Sequence, residues 1–252
     1  MVIRRFNRYE LKYVVHASRY QPLVDDLMRF LEPDEHGDRD GYYRVVSLYY
    51  DSPDYSFYHS KVDGLKFRRK LRVRVYPGDD IRTVKTGFVE IKQRMNRTVQ
   101  KKRIVLPLPE AMALCNGDYD KPFADEMDAV AANEVLYMVR AMGLRPKCVV
   151  SYRRRALVGS RYENGMRVTF DMQLQGRVHA LTLTENAHNH YFIPPDWYVL
   201  EVKVNERIPD WMTSIIARHE CELRRVSKYC AALKNGMDRL KFRLEHREDI
   251  YE

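Results

Sequence analysis

One segment constrains the fold of this chain more than any other: LKFRRKLRVRVYPGDD, residues 65–80. Read with the two-residue period of a strand, it puts Lys66, Arg68, Lys70, Arg72 and Arg74 on one face. Leu65, Phe67, Leu71, Val73 and Val75 take the other face, interrupted only by Arg69. Wound as a helix, the same residues would scatter their charge around the axis. The alternation therefore predicts a half-buried β-strand, ended by the PGDD turn.

Other segments repeat the pattern. In RRFNRYELKYVV, Arg8, Glu10 and Lys12 share a face opposite Tyr9, Leu11 and Tyr13. YYRVVSLYYDSP reads as a strand ended by Asp51, Ser52 and Pro53. FVEIKQR puts Glu90, Lys92 and Arg94 together, and VQKKRIVLPL is a further basic strand stopped by its two prolines. CVVSYRRRALVG places Ser151, Arg153 and Arg155 on one face; Arg154 and Arg155 read as surface or partner charges. After a turn at ENG, MRVTFDMQL aligns Arg167, Thr169 and Asp171. WYVLEVKVNE aligns Glu201, Lys203 and Asn205 opposite Leu200, Val202 and Val204.

Helices fall between these strands. One runs from an N-cap at Ser18 to Leu31, with Leu23, Leu27, Phe30 and Leu31 as its apolar stripe. A short one covers Tyr55 to Val62, and a long one Phe123 to Met142, with Gly143 as its C-cap. Two more begin near Pro209 and Ser227, and a charged tail, frayed at its end, closes the chain from about residue 238. At least seven mostly antiparallel strands with helices around them predict an α+β protein built on a closed or strongly curved antiparallel β-barrel. No linker or repeat interrupts residues 1–252, so a single domain is expected.

Composition narrows the function. Hydrophobic residues reach 45%, enough for a packed core. Lys+Arg number 44 against 35 Asp+Glu, a net charge of +9 that favours an anionic partner. No run of ~18 apolar residues predicts a membrane span. The start, MVIRRFNRYELKYVV, lacks the apolar stretch of a signal peptide, so a cytoplasmic location is expected. Cys115, Cys148, Cys221 and Cys230 form no CxxC pair and read as small buried thiols. His179, His188 and His190 fit no standard metal spacing and read as a surface loop. Tyr42, Tyr43, Tyr49 and Tyr50 read as wall packing. Neither GxxxxGK[ST] nor GxGxxG occurs, which removes the commonest phosphate-binding loops.

The charged faces carry the sharper inference. Strand after strand sets Arg and Lys on one side, with isolated carboxylates at Glu10, Glu90, Asp171 and Glu201. If the apolar sides pack against helices, the charged sides line an interior. Like charges there repel and lose hydration, so such a lining needs an anionic guest. A polyphosphate chain is one: Arg grips phosphate oxygens in a fork, and Lys acts as a point charge. The carboxylates, Glu201 and Glu90 foremost, would hold a divalent cation, Mn²⁺ or Mg²⁺, bridging phosphate oxygens.

The strings RYELKYVV, KLRVRVY, FVEIKQR, YRRRAL, RVTFDMQL, VLEVKVNE and SKYCAAL occur in an order that resembles the VTC domain family, over about residues 4 to 234. That family is named for the vacuolar transporter chaperone complex and belongs to the CYTH-like, or triphosphate tunnel metalloenzyme, superfamily. The resemblance implies an eight-stranded antiparallel β-barrel forming a tunnel. It implies a tunnel-entrance lysine at Lys12, nucleotide-phosphate arginines at Arg72 and Arg74, and further phosphate-binding cations at Lys92, Arg153, Arg167, Lys203 and Lys228. Among these, Arg72, Arg74, Lys92 and Lys228 would hold the nucleotide. Glu201 would be the metal-holding glutamate. A tunnel lysine falls in VQKKR, where Lys101 and Lys102 both fit and Lys101 is preferred. Two departures stand out. The triphosphatase branch carries ExExK on its first strand, whereas this chain reads Arg8, Glu10 and Lys12. Eukaryotic relatives carry an SPX domain and membrane helices, which these residues do not show, so inositol-phosphate control and export are not expected.

The resulting expectation is a metal-dependent polyphosphate polymerase that moves the ATP γ-phosphate onto inorganic polyphosphate. The acceptor phosphate is already ionised and needs no strong protein base. Two alternatives stay open: an inorganic triphosphatase or nucleoside triphosphatase using the same pocket, and a non-catalytic polyanion or RNA binder. The expected partners are ATP with polyphosphate or triphosphate, without nucleic acid; a membrane-protein partner follows by analogy only.

Overall fold

The alternation seen in the sequence becomes strands whose apolar sides are covered by helices. The structure is a computed structural model that describes residues 9–96, 98–159, 165–185, 187–205 and 207–245. Arg8, most of the ENG turn and the end of the charged tail lie outside the described residues. Contacts group the chain into two units: one within Met1–Arg44, Tyr152–Leu174 and Ile193–Ser227, the other within Val45–Ser151, Gln175–Phe192 and Lys228–Glu252.

The first unit centres on β1 (Tyr9–His16), paired antiparallel with β10 (Trp197–Val204) and, at its far edge, with the short β11 (Glu222–Leu223). Strand β10 pairs in turn with β8 (Arg167–Arg177). A short strand, β2 (Leu31–Pro33), pairs with the end of β7 (Arg145–Gly159). Helices α1 (Tyr20–Leu27) and α5 (Asp210–Arg218) bring Leu23, Leu27, Met212 and Ile215 into one core with Val168, Phe170, Leu200 and Val202. The opposite faces of β1, β8 and β10 carry the charge.

The second unit is the hairpin-connected series β3 (Tyr42–Asp51), β4 (Phe67–Val75), β5 (Thr86–Met95) and β6 (Thr98–Pro107). Leu48, Leu71, Val73, Val89, Ile91 and Ile104 form its core with Leu114, Val135 and Met138. Those last three come from α3 (Leu108–Asn116) and α4 (Glu126–Met142). At Gly87 an added Cβ would lie 2.7 Å from the Cβ of Ala111, so glycine lets α3 sit directly on β5. Gly143 ends α4 in the left-handed region, φ 60°. The remaining elements are α2 (Ser56–Val62), α6 (Lys228–Glu245) and β9 (His190–Tyr191), which pairs with the last residues of β8.

Three expectations are corrected. The sheet has eleven strands, nine along the path β11-β1-β10-β8-β7-β3-β4-β5-β6 with β2 and β9 attached beside β7 and β8, and among the described residues it is not closed into an eight-stranded barrel. Helix α1 stops at Leu27 and Leu31 opens a strand, because its side chain completes the apolar core while its backbone pairs with Gly159. The two prolines do stop β6, but a helix that the sequence reading lacked follows at once: Pro109 sits in the first turn of α3, where its missing N–H costs nothing. No helix among the described residues is long and apolar enough to cross a membrane.

Candidate functional site

Strand register in the second unit stacks cations in rows. Lys70 faces Lys92, and Lys92 faces Lys101. In the next row Tyr49 faces Arg72, Arg72 faces Glu90, and Glu90 faces Arg103. Like charges directly opposite each other destabilise a sheet. The row of lysines is held in place by the apolar backs of the same strands, which the core fixes.

Glu90 is the carboxylate at the centre of this face and is 1% exposed. Its Oε2 accepts from Arg72 Nε at 2.7 Å and Nη2 at 2.6 Å, with Arg74 Nε 3.9 Å away. Its Oε1 accepts from Lys101 Nζ at 2.8 Å and from Arg103 Nε at 2.8 Å. Burial would push the Glu90 carboxyl up, but Arg72, Arg74 and Lys101 outweigh it and hold it far below the usual carboxylate range. One carboxylate thus serves four cations. Burial and the neighbouring Arg103 and Arg72 pull Lys101 below the ordinary lysine range in spite of Glu90. Tyr49 Oη accepts from Arg72 Nη1 at 2.7 Å. Burial raises this hydroxyl, but Arg72, Arg74 and Lys70 more than offset that and bring it to about 8. Tyr49 stacks on Tyr229 at 5.0 Å, and Tyr229 is anchored by its hydroxyl to Asp51 at 2.6 Å. Asp51 also accepts from the first N–H groups of α2, at Phe57 and Tyr58.

The first unit holds a second charged cluster. Arg154 grips Asp171 with both arms, Nε at 2.6 Å and Nη2 at 2.9 Å, and its Nη2 lies 3.8 Å from Glu201. Lys203 reaches Glu201 at 3.0 Å, and Lys12 reaches Glu10 at 3.1 Å. Burial pulls Lys12 down, but Glu201 and Glu10 outweigh it and leave it above the ordinary lysine range. Arg154 is shifted upward in the same way, burial being outweighed by Asp171. Arg167 pairs with Asp34 at 2.7 Å and donates to Tyr43 Oη at 2.9 Å.

Several residues singled out in the sequence converge. Arg72, Arg74 and Lys101 surround Glu90, and Lys92 lies in the adjoining lysine row. Lys12, Lys203 and Glu201 meet on the paired strands β1 and β10, where Lys12 faces Glu201. Lys228 opens α6 beside Tyr229. Ile104 and Leu106 are buried, which sets the phase of β6: Lys101 takes the Glu90 face, and Lys102 turns to Glu134 of α4 at 2.6 Å. Arg153 does not join either cluster; it is exposed, with its guanidinium 4.4 Å from the Tyr42 ring. The expectation that Arg154 and Arg155 are surface charges is corrected, since they are 6% and 9% exposed. Val149 and Leu157 both enter apolar cores, which puts Arg153 and Arg155 on their face and Arg154 on the charged one. Arg103 escaped the sequence reading, although it sits two residues from Lys101 on the same face.

Glu201, the expected metal ligand, also faces cations with both of its oxygens, Lys203 at 3.0 Å and Arg154 at 3.8 Å. Thr169 faces Glu201 across β8 and β10, and its buried Oγ1 has no hydrogen-bond partner in the structure. Among the described residues no group of three or more His, Cys, Asp or Glu side chains forms a metal cage. Glu90 does not suit a cation, since both of its oxygens already meet positive donors. His188 and His190 contact each other, ring centroids 4.6 Å apart, without a third such residue.

The chain is thus an antiparallel α+β protein whose strands carry charge on one face and pack helices on the other, with four cations around Glu90. The VTC domain model matches residues 7–235, and the chain belongs to the VTC domain family. Among solved structures, the chain is similar to a candidate adenylyl cyclase from Hippeastrum with a dominant triphosphatase activity. They share 14% identity over 90% of this chain and 95% of that one, with a TM-score of 0.50. A candidate adenylate cyclase from Bacillus halodurans is 15% identical over 88% of this chain and 95% of that one, at a TM-score of 0.49. These likenesses concern the fold. No curated protein matches the sequence.

Proposed function

We propose that this chain is an ATP-polyphosphate phosphotransferase, which extends inorganic polyphosphate from the ATP γ-phosphate. The observation that carries this reading is the four-to-one imbalance at Glu90, where Arg72, Arg74, Lys101 and Arg103 share one carboxylate. Cations crowded around one buried carboxylate repel one another, and phosphate oxygens would relieve that repulsion. Bound there, a triphosphate would meet forked arginine donors and lysine charges that are already fixed, so little reorganisation is left for the transfer step. Lys92 and Lys70 would extend the same field toward the chain being elongated. The acceptor phosphate is its own nucleophile, which suits a face without a Ser/His/Asp arrangement.

Hydrolysis of triphosphate is the second reading, favoured by the activity described for the Hippeastrum protein of similar fold. Against it stands Arg8, where the triphosphatase pattern carries a carboxylate. One assay separates the two: purified protein with ATP and Mn²⁺, followed for ADP, orthophosphate and long-chain polyphosphate. ADP with polyphosphate is the expected result. ADP with stoichiometric orthophosphate would move the assignment to the hydrolase, and no turnover with intact polyanion binding would move it to a carrier.

A further inference from the structure

Past Glu90 the rows of the β4–β5–β6 face change character. Arg74 faces Phe88, and Phe88 faces Val105. Tyr76, just beyond β4, meets Phe88 edge to face, with centroids 5.1 Å apart at 75°. Arg103, which holds Glu90, also lies 5.1 Å over the Phe88 ring and donates to Tyr76 Oη at 3.3 Å. Tyr76 and Val105 stay open to solvent, 36% and 53% exposed. Phe88 is two residues from Glu90, about 7 Å along the strand. An aromatic and apolar step therefore adjoins the cationic centre, and one guanidinium ties the two together.

We propose that Tyr76, Phe88 and Val105 form a nucleobase platform, so that the phosphoryl donor is a nucleoside triphosphate held at both ends. This rests on the phosphate-transfer reading and deepens it. Phosphates bound by Arg72, Arg74 and Arg103 leave the base about one ribose length away, over the aromatic step. The base stacks on the rings and on the guanidinium plane, as bases do on exposed aromatic and arginine surfaces. No side chain in the step is arranged to read a base edge, so the platform takes any base and favours purines for their larger face.

Binding of ATP and of inorganic tripolyphosphate, measured side by side on the full chain, tests the platform. Tyr76→Ala should weaken ATP about tenfold, in the range of one lost stacking partner, with less than about a twofold change for tripolyphosphate. Tyr76→Phe, which keeps the ring, should recover most of the ATP affinity. Phe88→Leu, which keeps the apolar volume, gives the same readout should Tyr76→Ala not fold. An equal loss for both ligands would make Tyr76 a support for Arg103 alone and overturn the platform, as would an unchanged ATP affinity. Wild-type protein that binds tripolyphosphate but not ATP would sink this proposal and spare the phosphate site. Failure to bind either would sink both.

Discussion

Lys12 and Lys101 are the same side chain on the same kind of strand face, and the protein pushes them in opposite directions. Lys12 is held above the ordinary lysine range and Lys101 below it. Burial pulls both down, so the difference lies in the company. Around Lys12, the cations Lys12, Arg154 and Lys203 stand against Glu10, Asp171 and Glu201, a matched set. Around Lys101, four cations compete for Glu90. Buried charge by itself therefore says little about function. The matched set is satisfied within the fold, whereas the cations around Glu90 outnumber the carboxylate they share.

The largest expected effect comes from removing the central carboxylate of each cluster. Glu90→Gln removes the carboxylate that these cations share, a loss of about 3–5 kcal/mol for a broken buried pair. That corresponds to a fall of roughly 10 °C in melting temperature for a chain of this size. Tripolyphosphate should restore most of it and bind more tightly than to wild type. Glu201→Gln should cost less, because Glu10 and Asp171 remain beside Lys12 and Arg154, and tripolyphosphate should restore less of it. Equal losses and equal rescue in thermal melts would erase the distinction between the clusters.

The next effect is on turnover. Arg72→Ala and Arg74→Ala should each lower activity by at least ~10²-fold, the scale of one lost electrostatic stabiliser. Their melting temperatures should hold or rise, since each removes repulsion from a face with too many cations. Arg154→Ala should behave differently: it strands Asp171, which is 0% exposed, and lowers stability first. If Arg72→Ala and Arg154→Ala lose stability alike, the surplus at Glu90 is not a binding device.

Much of this contrast was legible in the sequence, and what was not has identifiable causes. The faces of β4 and β5 were readable because Leu71, Val73, Val89 and Ile91 alternate cleanly with charge. The choice between Lys101 and Lys102 follows from the burial of Ile104 and Leu106, which the unbroken apolar run IVL does not set by alternation. Arg154 was misplaced because CVVSYRRRALVG is apolar at both parities around three consecutive arginines, so no local signal sets the phase. Helix α3 was missed because a proline in a first helical turn looks like a stop. The order of the eleven-stranded sheet was not readable, since alternation specifies faces and not which edges pair.

The smallest and most diagnostic effect is one of pH. Tyr49, at about 8, lies below the ordinary tyrosine value because Arg72, Arg74 and Lys70 favour its ionised form over the opposing effect of burial. A bound polyphosphate competes for those cations and pushes the hydroxyl back up, so binding takes up protons in this range. Affinity for tripolyphosphate should therefore fall as pH rises through about 8, by about threefold to tenfold between pH 7 and pH 9.5. The unliganded fold should move the other way. A depressed pKa stabilises the folded state increasingly from about 8 toward the ordinary value, and that contribution disappears as pH falls back through 8. Lys101, also depressed, adds to the loss of affinity as its own charge fades. Tyr49→Phe removes the Tyr49 share of both trends and should flatten the affinity profile measured by calorimetry. At the matched cluster Lys12 and Arg154 are held in their charged forms, so Lys12→Met should leave the slope of that profile where it was. A slope that survives Tyr49→Phe and vanishes with Lys12→Met would place the phosphate site in the wrong cluster.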